Sequence, residues 1–176
     1  DLYQIHRPDN FTHPEEIAQA FNSLKSRGLV REFGVSNYTV AQTLALNAFV
    51  DNGLATTQPQ LSATHLDPLR DGTLDLCMES GITPLAWSAL AGGALATGKG
   101  VAPALLAVLD ELSARENVTR SAIAVAFVLA HPSRPVAIIG TQTPSRISEL
   151  ALATSVSLTR TDVYAIIQAS DGIPLP

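Results

Sequence analysis

With one cysteine in 176 residues, Cys77, the chain has no internal disulfide to hold it together. Cys77 lies three residues after Leu74 on an apolar helical stripe and reads as buried filler. Long apolar runs are also missing. The longest, Ala122 to Ala130, falls far below the ~18 residues a membrane span needs. No basic-then-apolar leader opens the chain, so a membrane partner is excluded and a cytoplasmic location is expected. Charge is scarce at 15%, and eleven basic against sixteen acidic residues give a net charge of −5. The arginines are scattered and the only lysines are Lys25 and Lys99, which excludes nucleic acid as a partner. His13, His65 and His131 read as helix-start, loop and helix-end residues without the mutual spacing of a metal site, and no metal is expected.

What the chain does have is a hydrophobic fraction of 46%, enough to rule out disorder over most of its length. Strand-like and helix-like runs alternate from end to end, the pattern of a parallel sheet with helical crossovers. The spacing predicts strands over Leu2–His6, Arg31–Ser36, Ala55–Pro59, Ile82–Trp87 and Val136–Gly140. The first helix is expected to open on a capping box, Thr12 with Glu15, to carry Pro14 in its first turn and to close at Gly28. Its Ile17, Phe21 and Leu24 recur at i, i+4 and i+7 and so form one buried stripe. Further helices are expected at Val40–Val50, Thr73–Ser80, Ala104–Arg115, Ser121–Ala130, Pro144–Ala153 and Asp162–Ala169. Between Trp87 and Val136 two helices intervene, with the Gly-rich run Ala91–Gly100 as a loop.

Two α/β architectures compete. An open doubly wound sheet that binds a dinucleotide needs a GxGxxG turn after a strand, and none occurs here. A (β/α)8 barrel places its chemistry at the C-terminal ends of its strands, which here carry His6, Ser36, Asn37, Gln58, Trp87 and Thr141. The chain is shorter than the ~250 residues of a typical closed barrel. The expectation is a single domain over 1–176: a partial (β/α) barrel of about five parallel strands.

Five segments then become specific: LYQIHRPD at 2–9, VREFGVSNY at 30–38, TQPQLS at 57–62, PLAWSALAGG at 84–93 and IIGTQTPSRI at 138–147. In this order and spacing they resemble the aldo-keto reductase family, and the resemblance runs essentially from Asp1 to the end. In that family these segments follow strands four to eight of a TIM barrel, so the N-terminal strands have no counterpart here. The resemblance implies a carbonyl reductase using NADP(H) on a small aldehyde, ketone or alcohol.

It also implies roles. His6 is the histidine that hydrogen-bonds the substrate carbonyl oxygen as hydride reaches carbon. Ser36, Asn37 and Gln58 hold the nicotinamide carboxamide, and uncharged groups that donate and accept suit that task. The plain reading of Ser36 and Asn37 is a helix cap. Trp87 stacks on the nicotinamide where tyrosine is common in the family. Ser88, Leu90 and Gly92 lie along the pyrophosphate. Arg146, with Thr141, takes the adenosine 2′-phosphate, and a cation in a first helical turn opposes the helix dipole unless an anion is near. Gly140 stands where many members carry lysine and Leu150 where some carry an adenine-contacting amide, which leaves the choice between NADP and NAD open.

The family's catalytic tyrosine, lysine and aspartate have no counterpart here, since Tyr3, Tyr38 and Tyr164 lie outside that context. The reading is therefore an incomplete reductase chain, inactive alone. The alternative is a truncated, non-catalytic nucleotide-binding or protein-interaction module. In either case Leu2–His6 and Val136–Gly140 would leave bare strand edges, to be covered by a missing N-terminal segment or a second copy.

Overall fold

The computed structural model describes residues 1–174 and divides into two compact units, Asp1–Pro59 with Pro68–Leu85, and Gln60–Asp67 with Ala86–Pro176. Five parallel strands alternate with helices in the sheet order β1-β2-β3-β4-β5, an open portion of a (β/α) barrel. The strands are β1 (Leu2–Ile5), β2 (Glu32–Ser36), β3 (Thr56–Gln58), β4 (Thr83–Ala86) and β5 (Val136–Ala137).

In the first unit the helices are α1 (Pro14–Ser26), α2 (Val40–Asn47) and α3 (Thr73–Ser80). The stripe expected on α1 is present: Phe21 and Ala18 are buried, with Ile17 and Leu24 packed beside them. Phe21 stacks on Phe33 of β2 at 4.1 Å between centroids, and Tyr3 meets Phe21 edge-on at 6.4 Å. Tyr3 and Ile5 therefore face the helix layer, and strand alternation turns Gln4 to the other side. Cys77 is buried in this core, as expected.

The start of α1 differs from the sequence expectation. His13, not Thr12, is the N-cap, and its Nδ1 accepts from the Glu15 amide at 3.2 Å. The Thr12 hydroxyl is held at the Asp9 carboxylate, to which it donates at 2.9 Å, and makes no bond to an amide of α1 among the described residues. Pro14 sits in the first turn and Gly28, at φ +68, follows the C-cap Arg27, both as expected. α2 carries the reciprocal box instead: the Thr39 hydroxyl accepts from the Gln42 amide, and the Gln42 side chain accepts from the Thr39 amide.

The second unit holds α4 (Ala94–Thr97), α5 (Pro103–Glu116), α6 (Arg120–Leu129), α7 (Pro144–Ala151) and α8 (Arg160–Asp171). α6 is buried from Ala122 to Val128 and capped by Thr119, whose hydroxyl accepts from the Ala122 amide. α5 and α8 are joined by Arg115, which donates to both Asp162 carboxylate oxygens at 2.8 and 2.9 Å.

Two further expectations are corrected. The run Ala91–Gly100 is not only loop: a 3-10 turn at Ala91–Gly93 leads into α4, so three α-helices, not two, lie between β4 and β5. The strand expected over Val136–Gly140 stops at Ala137. After the Ile138 amide bonds the Ala86 carbonyl at 2.8 Å, the chain leaves the ladder and residues 138–141 line a cavity.

Candidate functional site

In the first unit, His6 follows β1, Asn37 follows β2 and Gln58 ends β3, the C-terminal ends of three adjacent parallel strands. The register places Ser36 opposite Gln58. The buried Ser36 hydroxyl donates to the Gln58 carbonyl at 2.9 Å, and the Asn37 amide N–H donates to the same carbonyl at 3.2 Å. The Asn37 side-chain amide donates to Ser36 Oγ and to the His6 carbonyl, both at 3.1 Å.

This network ties three strand ends together. It is possible because Thr39 caps α2, leaving Ser36 and Asn37 out of the cap. Asn37 holds φ 60, a left-handed conformation that asparagine tolerates better than most residues. The Ser36 proton is already committed, so Ser36 offers an incoming group only a lone pair. The Gln58 side-chain amide and the exposed His6 ring have no hydrogen-bond partner among the described residues, so both can engage a ligand.

In the second unit, Ser88, Leu90, Gly92, Thr141 and Arg146 all line one cavity of about 670 Å³, within the usual size of small-molecule sites. The segment after β4 reaches it through left-handed turns at Ser88 (φ 59), Ala91 (φ 51) and Gly92 (φ 64). Two non-glycine residues held in this conformation mark local strain of the kind that collects at ligand sites.

Arg146 is the third residue of α7, is exposed, and makes no ion pair among the described residues. No side chain caps α7, so the first-turn N–H groups and the guanidinium face the same requirement for an anion. Trp87 follows β4, with its carbonyl accepting from the Leu61 amide at 3.2 Å, and is not among the cavity's lining residues. Gly140 and Leu150 do line it.

Sequence reasoning missed Ser121, Thr97, Ile139 and Glu149 in that lining. Glu149 carried a usable signal, since it stands three residues after Arg146 on the same helix and so on the same face.

Tyr38 packs into the core of the first unit; burial, and then the Asp9 carboxylate, push its phenol up. The Tyr3 ring meets Phe21 edge-on, and Tyr164 accepts from Arg160 at 3.3 Å. Among the described residues no group of three His, Cys, Asp or Glu is arranged to hold a metal ion, and no helix is long and apolar enough to cross a membrane.

Residues 1–171 match the Aldo/keto reductase family. The chain is 44% identical over its whole length to a 6-dehydroglucose reductase of Novosphingobium aromaticivorans, spanning 58% of that protein. It is 37% identical to the oxidoreductase YdhF of Escherichia coli, again over all of this chain and 59% of the relative. A 6-dehydroglucose reductase of Agrobacterium fabrum is 34% identical over 98% of this chain and 57% of its own length. Among solved structures, the thermostable aldo-keto reductase Tm1743 superposes with a TM-score of 0.88 at 26% identity, covering 96% of this chain and 59% of that one. The glycerol dehydrogenase of Gluconobacter oxydans gives 0.87 at 26% identity, covering 100% and 60%.

Proposed function

The chain belongs to the aldo/keto reductase family, and from that premise we propose that it is the cofactor-binding part of an oxidoreductase that moves hydride between NADP(H) and a small carbonyl compound or the corresponding alcohol. The observation carrying this reading is the cavity that gathers Ser88, Leu90, Gly92, Thr141 and an Arg146 without an ion pair among the described residues. A fixed cation beside an uncapped helix start fits the 2′-phosphate, and the small, turn-rich segment from Ser88 to Gly92 lets anionic oxygens approach backbone N–H groups. When bound, the dinucleotide supplies hydride from its nicotinamide ring.

The chain's own residues have separate tasks in this reading. Gln58 donates to and accepts from the carboxamide, Asn37 braces it, and Ser36 orients Gln58 through the carbonyl that its hydroxyl and the Asn37 amide share. Trp87 offers an aromatic face to the nicotinamide. The His6 ring, unpartnered at the end of β1, donates a hydrogen bond to the substrate carbonyl oxygen and stabilises the negative charge growing there. The proton that completes reduction comes from a tyrosine outside residues 1–176, activated by a lysine and an aspartate, because Tyr38 is tuned the wrong way for an acid. Two relatives named 6-dehydroglucose reductase support a sugar carbonyl as the substrate.

The edges support the same picture. Leu2 and Tyr3 on β1, and Val136 with Ile138 at β5, are exposed apolar side chains at strands without an outer neighbour. Further polypeptide, or a second copy, covers them in this reading.

The test is nucleotide titration of the full-length protein by fluorescence. Arg146→Ala is expected to weaken NADPH by about tenfold or more, the worth of a charge-assisted hydrogen bond, with a much smaller effect on NADH. Equal losses for both nucleotides would remove the assigned role of Arg146, and no binding of either by the wild type would remove the proposal.

A further inference from the structure

Beyond His6, hydride transfer as proposed leaves the rest of the loop between β1 and α1 without a role, and that loop presents Phe11. At 101% of its reference area it is the most exposed of the large apolar side chains among the described residues. A phenyl ring in water forgoes the burial that drives folding, so what holds it out matters. The Asp9 carboxylate accepts from the Phe11 amide N–H at 2.9 Å through one oxygen and from the Thr12 hydroxyl at 2.9 Å through the other. Those hydrogen bonds also hold the Asp9 carboxyl below its usual range. Asn10 accepts from the Gln42 side chain at 3.2 Å, which ties the loop to the first turn of α2. Residues on both sides of Phe11 are thus fixed, and its backbone is fixed with them. Only the ring is left in solvent.

The loop leaves from the C-terminal end of β1, where His6 stands five residues upstream. In (β/α) barrels the loops at this end meet the substrate. A flat apolar ring flanked by the polar groups of Asp9, Asn10 and Thr12 matches the surface of a pyranose, which has faces of carbon-bound hydrogens and a rim of hydroxyls. Because the turn is already ordered, engaging the ring costs little conformational entropy.

We propose that Phe11 is a substrate-recognition residue, an aromatic platform against which one face of a sugar-type carbonyl substrate packs. This rests on the reductase reading above and deepens it.

The experiment uses the full-length protein with NADPH and two aldehydes, a glucose-derived 6-aldehyde and propanal. In Phe11→Ala the ratio of kcat/KM for the sugar aldehyde over propanal is expected to fall about tenfold, mostly through KM, and Phe11→Trp is expected to restore it. An unchanged ratio overturns the proposal. So does a drop of several degrees in the melting temperature of Phe11→Ala, which would mean that another segment of polypeptide covers the ring. If the wild type reduces neither aldehyde, the reductase reading fails, and the platform is read separately by saturation-transfer NMR with glucose. Transfer to the carbon-bound ring protons that disappears in Phe11→Ala supports it; transfer that is equal in both proteins, or absent from the wild type, overturns it.

Discussion

Of the glycines, Gly34 is the one whose surroundings leave least room for a Cβ, and Gly34→Ala turns that into a number. Gly34 sits in the middle of β2, opposite Gln4 on β1 and Thr56 on β3, so the three residues form one row across the sheet. A Cβ on Gly34 would lie 1.9 Å from Thr56 Oγ1, 2.9 Å from the Thr56 carbonyl oxygen and 3.1 Å from Gln4 Cγ. The first contact can be relieved by turning the threonine side chain and the third by shifting a flexible one. The second is with backbone, so β2 and β3 must separate locally. Gly34 has no left-handed φ, so alanine meets no torsional objection, and reduced freedom of the unfolded chain favours it by ~0.4–1 kcal/mol. Overpacking opposes it by ~1–3 kcal/mol. The net expectation is destabilisation by about 1–2 kcal/mol, seen as a lower urea midpoint by circular dichroism at an unchanged slope. Thr56→Ala alone should be nearly neutral, because the buried Thr56 hydroxyl has no hydrogen-bond partner to lose. The double variant should recover at least ~0.5 kcal/mol of the Gly34→Ala loss, because the two positions share the clash. A Gly34→Ala protein as stable as wild type, or strictly additive effects, would refute the reasoning.

Cys77, with its thiol pushed up to about 11 by burial, should react with a thiol reagent at pH 8 about a hundredfold more slowly in native buffer than in denaturant. Rapid native labelling would contradict its place in the core. The Asp162 carboxyl is held well below its ordinary range, chiefly by the Arg115 guanidinium and with help from Thr159. A depressed carboxyl stabilises the fold above the unfolded-state pKa of about 4, and that contribution is lost as pH falls below it toward the folded value. Asp162→Asn should therefore cost about 1 kcal/mol at pH 7, mainly through the lost charge of the partly exposed Arg115 pair, and the gap from wild type should narrow by pH 3. A gap that widens in acid would reverse the assignment. On the proposed reading, in which the proton donor lies outside residues 1–176, the 176-residue chain by itself should not oxidise NADPH with a simple aldehyde above background at 340 nm. Turnover would mean that another residue in this chain is the acid.

Most of the fold was legible because it rests on local signals. The Ile17–Phe21–Leu24 stripe, Pro14 and Gly28 frame α1, and Thr73–Ser80 was placed residue for residue. The misreadings arose where two local solutions compete. Thr12 is a better N-cap than His13 by residue type, but its side chain is oriented onto the Asp9 carboxylate, and the cap passes to the next residue. The run Val136–Gly140 has the composition of a five-residue strand, yet only two residues pair. What residues 139–141 do instead depends on the cavity beside them, which no local pattern reports.

The candidate site divides along the same line. Its residue types and positions at strand ends could be read from spacing, but their differing commitments could not. Ser36, Asn37 and Gln58 look interchangeable in sequence as neutral donors and acceptors. In the structure the Ser36 proton is used and its oxygen is buried, whereas the Gln58 amide is uncommitted, so one positions and the other is placed to bind. That difference follows from register. Because Ser36 pairs with Gln58 across parallel strands, its hydroxyl reaches the Gln58 carbonyl, and a slip of one residue would turn Ser36 to the opposite face. Pairing register is set by the hydrophobic pattern of the whole sheet, with Phe33 and Val35 buried on the helix side. The chemistry of the strand ends therefore depends on core residues that never touch a ligand.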